Sequence, residues 1–178
     1  MHDKTAQKFM PNRGRKLKNA SSPRTVVQWT AFAQRKVLSI VRASQKLPGL
    51  KRRGPDELTW TVDVKVVGSA QMIRLNAKYR KKRSATDVLS FSPPEPIRNS
   101  GYLGELVICL PVLKRQAVER KQLQSTELQI LLVHGVLHLL GLDHEKDGAQ
   151  LREMLRWEKM LLVSTGYDAA PGLIERTG

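Results

Sequence analysis

Apolar residues first recur at helical steps: Val26, Trp29, Ala33, Val37, Ile40 and Val41 fall three or four positions apart. This spacing predicts an amphipathic helix from Thr25 to about Ser44. The stretch LPGLKRRGPDE follows, and its Pro48, Gly49, Gly54 and Pro55 predict a loop. The period then drops to two. LTWTVDVKVVG alternates through Trp60, Val62, Val64 and Val66, the pattern of a half-buried strand. Ser69 is placed to cap a second helix, SAQMIRLNAKYR, with Met72, Leu75 and Tyr79 on one face. TDVLSF is a short β-rich run closed by Pro93 and Pro94, and YLGELVICL is a further strand closed by Pro111 in the first turn of another helix. A helix is expected from Thr126 and a last one from Glu145 to about Thr165. Strands interspersed with helices imply an α+β fold: a single mixed sheet of about four strands packed against several helices.

The 178-residue length suits one domain, expected over residues 25–178. Residues 1–24 contain seven basic residues, one acid and few apolar side chains, so they read as a disordered basic arm. That arm lacks the apolar stretch of a secretory signal, and its composition also suits an organelle transit peptide. No apolar run reaches the roughly 18 residues of a membrane span, so the chain reads as soluble. Cys109 is the single cysteine and stands in the apolar run LVICL. It has no internal disulfide partner, which fits a reducing compartment, and its apolar neighbours mark it as a core residue.

Charge changes the picture. Lys+Arg number 31 against 16 Asp+Glu, a formal net charge of +15. Residues 1–126 carry 26 basic and 8 acidic residues, and residues 127–178 carry 5 and 8, so the excess of cations lies in the first part. A basic body of this kind suits a polyanion such as nucleic acid, although basic surfaces also serve solubility alone.

The chain has four histidines, and three of them fall in HGVLHLLGLDH, residues 134–144. His134 and His138 are one helical turn apart and share a face. Gly141 stands where the helix would stop, since glycine accepts the left-handed conformation after a helix end. The chain then turns back and offers His144 to the same point. Three imidazoles make a Zn²⁺ site with a fourth position open for water, on a helix and the turn after it. Two histidines on an apolar helix would otherwise be core residues; a third at ligand spacing with a turn glycine argues for metal.

The spacing coincides with the zinc-protease pattern H-E-x-x-H-x-x-G-x-x-H except at one position. Gly135 replaces the glutamate that would act as general base. The metal geometry is kept and the peptidase base is missing. Asp143 is a candidate to accept a hydrogen bond from a ligand imidazole, and equally a candidate cap for the last helix. Asp87 is a second carboxylate candidate, with structural use as a cap or turn residue the stronger reading.

Between Arg74 and Arg83 stand six basic residues and no acid. Beside a hydrolytic metal, Arg80 with Lys78, Lys81, Lys82 and Arg83 would hold a phosphodiester and offset its developing charge. Arginine suits this because its guanidinium engages two phosphate oxygens together.

These segments resemble the YbeY family of bacterial and organellar metal-dependent endoribonucleases. HGVLHLLGLDH is similar to the family's HGxLHLxGyDH, LNAKYRKKRSATDVLSF to its LNxxYRxxxxxTDVLSF, and YLGELVICL to its lGDIvIs strand. The likeness runs from about Leu58 to Tyr167. It implies an endoribonuclease preferring single-stranded RNA, acting in ribosomal RNA processing and ribosome quality control. It implies one zinc ion on His134, His138 and His144, with Arg80 acting at the site. The partners it implies are ribosomal RNA and the small ribosomal subunit or its assembly factors, in the cytoplasm or, with a transit peptide, an organellar matrix. This chain departs from the family pattern at Leu142, where an aromatic residue is usual, at Glu105, where Asp is usual, and in SFSPPEP. Two other classes stay open: a non-catalytic RNA-binding assembly factor with structural zinc, and a zinc hydrolase acting on another substrate. Water and the RNA's own 2′-OH are both open as attacking groups.

Overall fold

The computed structural model describes residues 23–50, 60–142 and 148–167. The first element, α1 (Val26–Lys46), is capped as a reciprocal pair. Thr25 Oγ1 accepts from the Gln28 N–H at 3.2 Å, and Gln28 Oε1 accepts from the Thr25 N–H at 3.2 Å. Its buried stripe is Trp29, Ala33, Val37, Ile40, Val41 and Ser44, the face expected from the spacing of apolar residues except that Val26, in the first turn, is exposed.

β1 (Thr61–Val67) buries alternate side chains against α1. Helix α1 also satisfies the outer edge of that strand. The Gln34 amide donates to the Val62 carbonyl at 2.8 Å and accepts from the Val64 N–H at 2.8 Å, and Thr30 Oγ1 accepts from the Val66 N–H at 3.1 Å. An edge whose backbone groups are used in this way offers little to a stray strand.

α2 (Ser69–Arg80) follows, then β2 (Val88–Phe91), the short α3 (Glu95–Arg98), β3 (Tyr102–Cys109) and α4 (Leu110–Glu119). α5 (Gln124–Leu139) and α6 (Gly148–Ser164) complete the order. The sheet is mixed, in the order β1-β3-β2, with β1 parallel and β2 antiparallel to the central β3. Alternation along β3 divides the core. Leu106 and Ile108 join the large cluster with α1, α5 and α6, whereas Val107 and Cys109 meet Met72 of α2 and Val112 of α4 on the other face.

The α+β class stands, with corrections. The sheet has three strands among the described residues, not about four. The three runs with a period of two or a β-rich composition are the three strands, and no other described segment adds a fourth. The cap of α2 is Gly68, with no side-chain bond, so Ser69 is already inside the helix. Helix α5 starts at Gln124 rather than Thr126, with Leu123 at its N-cap. Helix α3 was not expected, because Pro93 and Pro94 read as a stop; Pro96 instead sits in its first turn, where a missing N–H costs nothing. Residues 1–22 of the basic arm and the start proposed for the last helix, Glu145, lie outside the described residues. No described helix is long and apolar enough to cross a membrane, and Cys109 is buried as a free thiol.

Candidate functional site

Helix α5 is apolar nearly all round, as a helix in the middle of a core must be. From Glu127 to Leu139 every residue is buried except His134 and His138, which therefore form the one line along this stretch that reaches solvent. Their rings stand 4.6 Å apart edge to face, with the two Nε2 atoms 3.1 Å from each other.

The helix ends as the turn glycine suggested. Gly141 has φ +92°, its N–H donates to the His138 carbonyl at 2.9 Å, and the Leu142 N–H donates to the Leu137 carbonyl at 3.1 Å. That pair of bonds is a Schellman ending, closed by the buried Leu142 side chain. The chain leaves the helix immediately beyond His138. His144 and Asp143 lie outside the described residues, and among the described ones no cluster of three or more His, Cys, Asp or Glu converges on one point.

A residue that sequence reasoning missed reaches the pair from α6. Glu158 is 4% exposed, and its Oε1 lies 2.5 Å from Nδ1 of His134. Glu158 lies on the apolar face that buries Met154, Trp157, Leu161 and Leu162. An acid on a core-facing stripe is the signal that could have found it, because a carboxylate is rarely buried without a partner.

Position 135 turns away from this site. A Cβ added to Gly135 would stand 2.7 Å from Cδ2 of Leu106 on β3. One residue after His134 the helix has rotated toward the sheet, so the glycine is a packing requirement between α5 and β3.

The basic residues sit at the end of α2 and in the turn after it. Lys78, Arg80, Lys81, Lys82 and Arg83 are all exposed. Lys81 adopts φ +60° at the C-cap, and the N–H groups of Lys81 and Lys82 both point to the Asn76 carbonyl. The buried Asn76 side chain donates to the Ser84 carbonyl at 2.8 Å, so both ends of the basic turn are tied to one residue. The turn leads into β2, the strand that packs on α5, where Ser90 Oγ reaches the Gly135 carbonyl at 3.5 Å.

Asp87 is placed structurally. Its Oδ1 accepts from the Val88 N–H at 2.8 Å and from Thr86 Oγ1 at 3.3 Å, and its Oδ2 accepts from Gln116 Nε2 at 3.0 Å. Its backbone carbonyl accepts from the Cys109 N–H at 2.8 Å. The structural reading of Asp87 holds, and these contacts tie β2 to β3 and α4.

A family model described as Endoribonuclease YbeY matches residues 24–166. The chain belongs to the YbeY endoribonuclease family. Relatives named Endoribonuclease YbeY include that of Nitrosococcus oceani, 38% identical over 109 residues covering 60% of this chain and 71% of the relative. That of Bdellovibrio bacteriovorus is 51% identical over 81 residues, covering 46% and 51% respectively. That of Pseudomonas putida is 37% identical over 129 residues, covering 71% and 79%. A solved structure, TM1509 from Thermotoga maritima, is 22% identical with a TM-score of 0.48, over 84% of this chain and 95% of that one.

The departures of this YbeY-family chain from the family pattern, Leu142, Glu105 and SFSPPEP, fall at a buried, a half-buried and a largely exposed position respectively. Leu142 fills the core behind the end of α5. Glu105 pairs in the sheet between Asp63 of β1 and Phe91 of β2. The SFSPPEP segment feeds α3, whose Arg98 donates to the Pro93 carbonyl at 3.1 Å.

Proposed function

We propose that this chain is a metal-dependent endoribonuclease that cleaves single-stranded RNA, ribosomal RNA first among its substrates. The observation that carries the proposal is the pair His134 and His138, the only solvent-reaching residues along Glu127–Leu139, in a chain of the YbeY family. Two nitrogens bound at 2.0–2.1 Å to a tetrahedral zinc ion stand about 3.3 Å apart. The 3.1 Å separation of the Nε2 atoms therefore suits two ligands of one ion, with His144 as the third.

Zinc, when bound, supplies a Lewis acid that polarises a phosphate oxygen or activates the attacking group. The protein's own residues do the rest. Helix α5 fixes the spacing of the first two imidazoles, and the Schellman ending redirects the chain straight after the second. Arg80 holds the phosphodiester, with Lys78, Lys81, Lys82 and Arg83 extending the cationic turn along the backbone. With Gly135 packed on Leu106, position 135 offers no general base for a peptide, which argues against a zinc peptidase. The resemblance adds small-subunit ribosomal RNA, assembly factors and ribosome quality control as the setting, in the cytoplasm or an organellar matrix.

The test is cleavage of single-stranded RNA by the purified chain alongside His138→Ala and Arg80→Ala variants, with a peptide substrate as control. Loss of a ligand is expected to abolish cleavage, and loss of Arg80 to lower it by about a hundredfold or more. Cleavage unchanged in His138→Ala would sink the metal-dependent reading. RNA binding without cleavage in every variant and in the parent chain would make the protein a binding factor instead.

A further inference from the structure

We infer that Glu158 is a positioning residue for the metal-binding nitrogen of His134, an inference that rests on the three-histidine reading above. Glu158 projects from α6 into the core, is 4% exposed, and has His134 Nδ1 as its hydrogen-bond partner at 2.5 Å. A carboxylate so placed is costly to bury, by several kcal/mol on the usual scale for ions in proteins. A merely structural pairing between α5 and α6 would cost less as an apolar contact, and both helices already bury leucines in the same core, Leu161 and Leu162 among them.

The contact is made on one particular nitrogen. Nδ1 lies across the ring from Nε2, and Nε2 is the atom 3.1 Å from its counterpart on His138. A carboxylate accepting from Nδ1–H keeps the proton on that side, leaves the Nε2 lone pair bare and stops the ring from turning about its bond to Cβ. Metal-binding histidines are commonly held this way, with tautomer and ring orientation fixed together. Glu158 and His134 are 24 residues apart in sequence, so the device depends on α6 packing against α5. Trp157 and Met154, buried on the same face, fix the height of Glu158 along the helix axis.

The experiment measures Zn²⁺ affinity of the full chain by competition with a chromogenic chelator, for the parent, Glu158→Gln and Glu158→Asp. A thermal melt of each metal-free protein is run alongside. Glu158→Gln is expected to weaken zinc binding by about ten- to a hundredfold, the usual effect of losing such a partner. Glu158→Asp keeps the charge but withdraws it by one methylene, and is expected to weaken binding as much. Co²⁺ bound to either variant is expected to show a visible spectrum altered from that of the parent. Unchanged zinc affinity in both variants, with only the metal-free melting temperature lowered, would reduce Glu158 to a structural partner and overturn the inference. A parent chain that binds no zinc would overturn the three-histidine reading as well.

Discussion

Asp87 illustrates how a carboxylate beside a functional motif is spent on structure. Three donors reach its two oxygens, from Val88, Thr86 and Gln116. Asp87→Ala removes both acceptor oxygens, and with them these three hydrogen bonds, and leaves the Val88 N–H at the start of β2 without that partner. The expected loss is about 1–3 kcal/mol, seen as a lower denaturation midpoint; an unchanged midpoint would show these bonds to be worth nothing net. The sequence allowed a structural reading of Asp87 because an Asp side chain readily accepts from backbone N–H groups close by in the chain. Glu158 was harder to see. It follows Trp157 directly and stands four residues after Met154 and four before Leu162, so its helical phase is apolar. Its partner is 24 positions away, and no local spacing rule connects an acid on one helix to a histidine on another.

Helix α5 and strand β3 are matched through glycines. A methyl group at position 135 meets Leu106 Cδ2 at 2.7 Å and Cδ1 at 3.1 Å, and Leu106 is fully buried. Alanine gains up to about 1 kcal/mol of helix propensity over glycine. Overpacking a core typically costs about 1–3 kcal/mol. Gly135→Ala is therefore expected to lower stability by about 1 kcal/mol in a urea titration, and a more stable variant would mean that Leu106 can move aside. Gly104 is less tolerant. It has φ +136°, and an added Cβ would lie 2.2 Å from the Phe91 carbonyl oxygen, a backbone atom that cannot rotate away. Gly104→Ala should cost clearly more than Gly135→Ala in the same measurement. The register shift between Thr61 and Val62, opposite Tyr102 and Gly104, lies at this same point of the sheet. Hydrophobic periodicity locates the strand and the helix, since each has a distinct repeat, but it carries no information about which glycine faces a neighbouring backbone. The exact helix starts were misread for a related reason: Gly68 and Leu123 hold cap positions through backbone geometry, with no side-chain bond to announce them.

Across the molecule, one sheet edge is closed and the other borders the cationic turn. Gln34 and Thr30 of α1 occupy the outer backbone groups of β1, while β2 at the opposite edge is entered directly from the segment containing Arg80 to Arg83. The three sheet strands and five of the helices were legible because each is long or regular enough for its period to show. The strand order was not, because β1 and β3 are paired across 41 positions from Thr61 to Tyr102 and only packing brings them together. Charge was the broadest signal, at +15 overall, and its use can be measured. Each cation that neutralises a phosphate on a single strand adds about −0.7 to the slope of log affinity against log salt. Five contacts, from Lys78, Arg80, Lys81, Lys82 and Arg83, would give a slope of about −3.5 and weaken binding about a hundredfold between 50 and 200 mM salt. Replacing Lys81, Lys82 and Arg83 together with glutamine should flatten the slope by about 2. These side chains are exposed, and Asn76 holds the turn through backbone groups alone, so the variant should melt where the parent does. A slope unchanged by the triple substitution would move the phosphate contacts elsewhere on the basic surface, and a flat salt response in the parent chain would remove charge from RNA binding altogether.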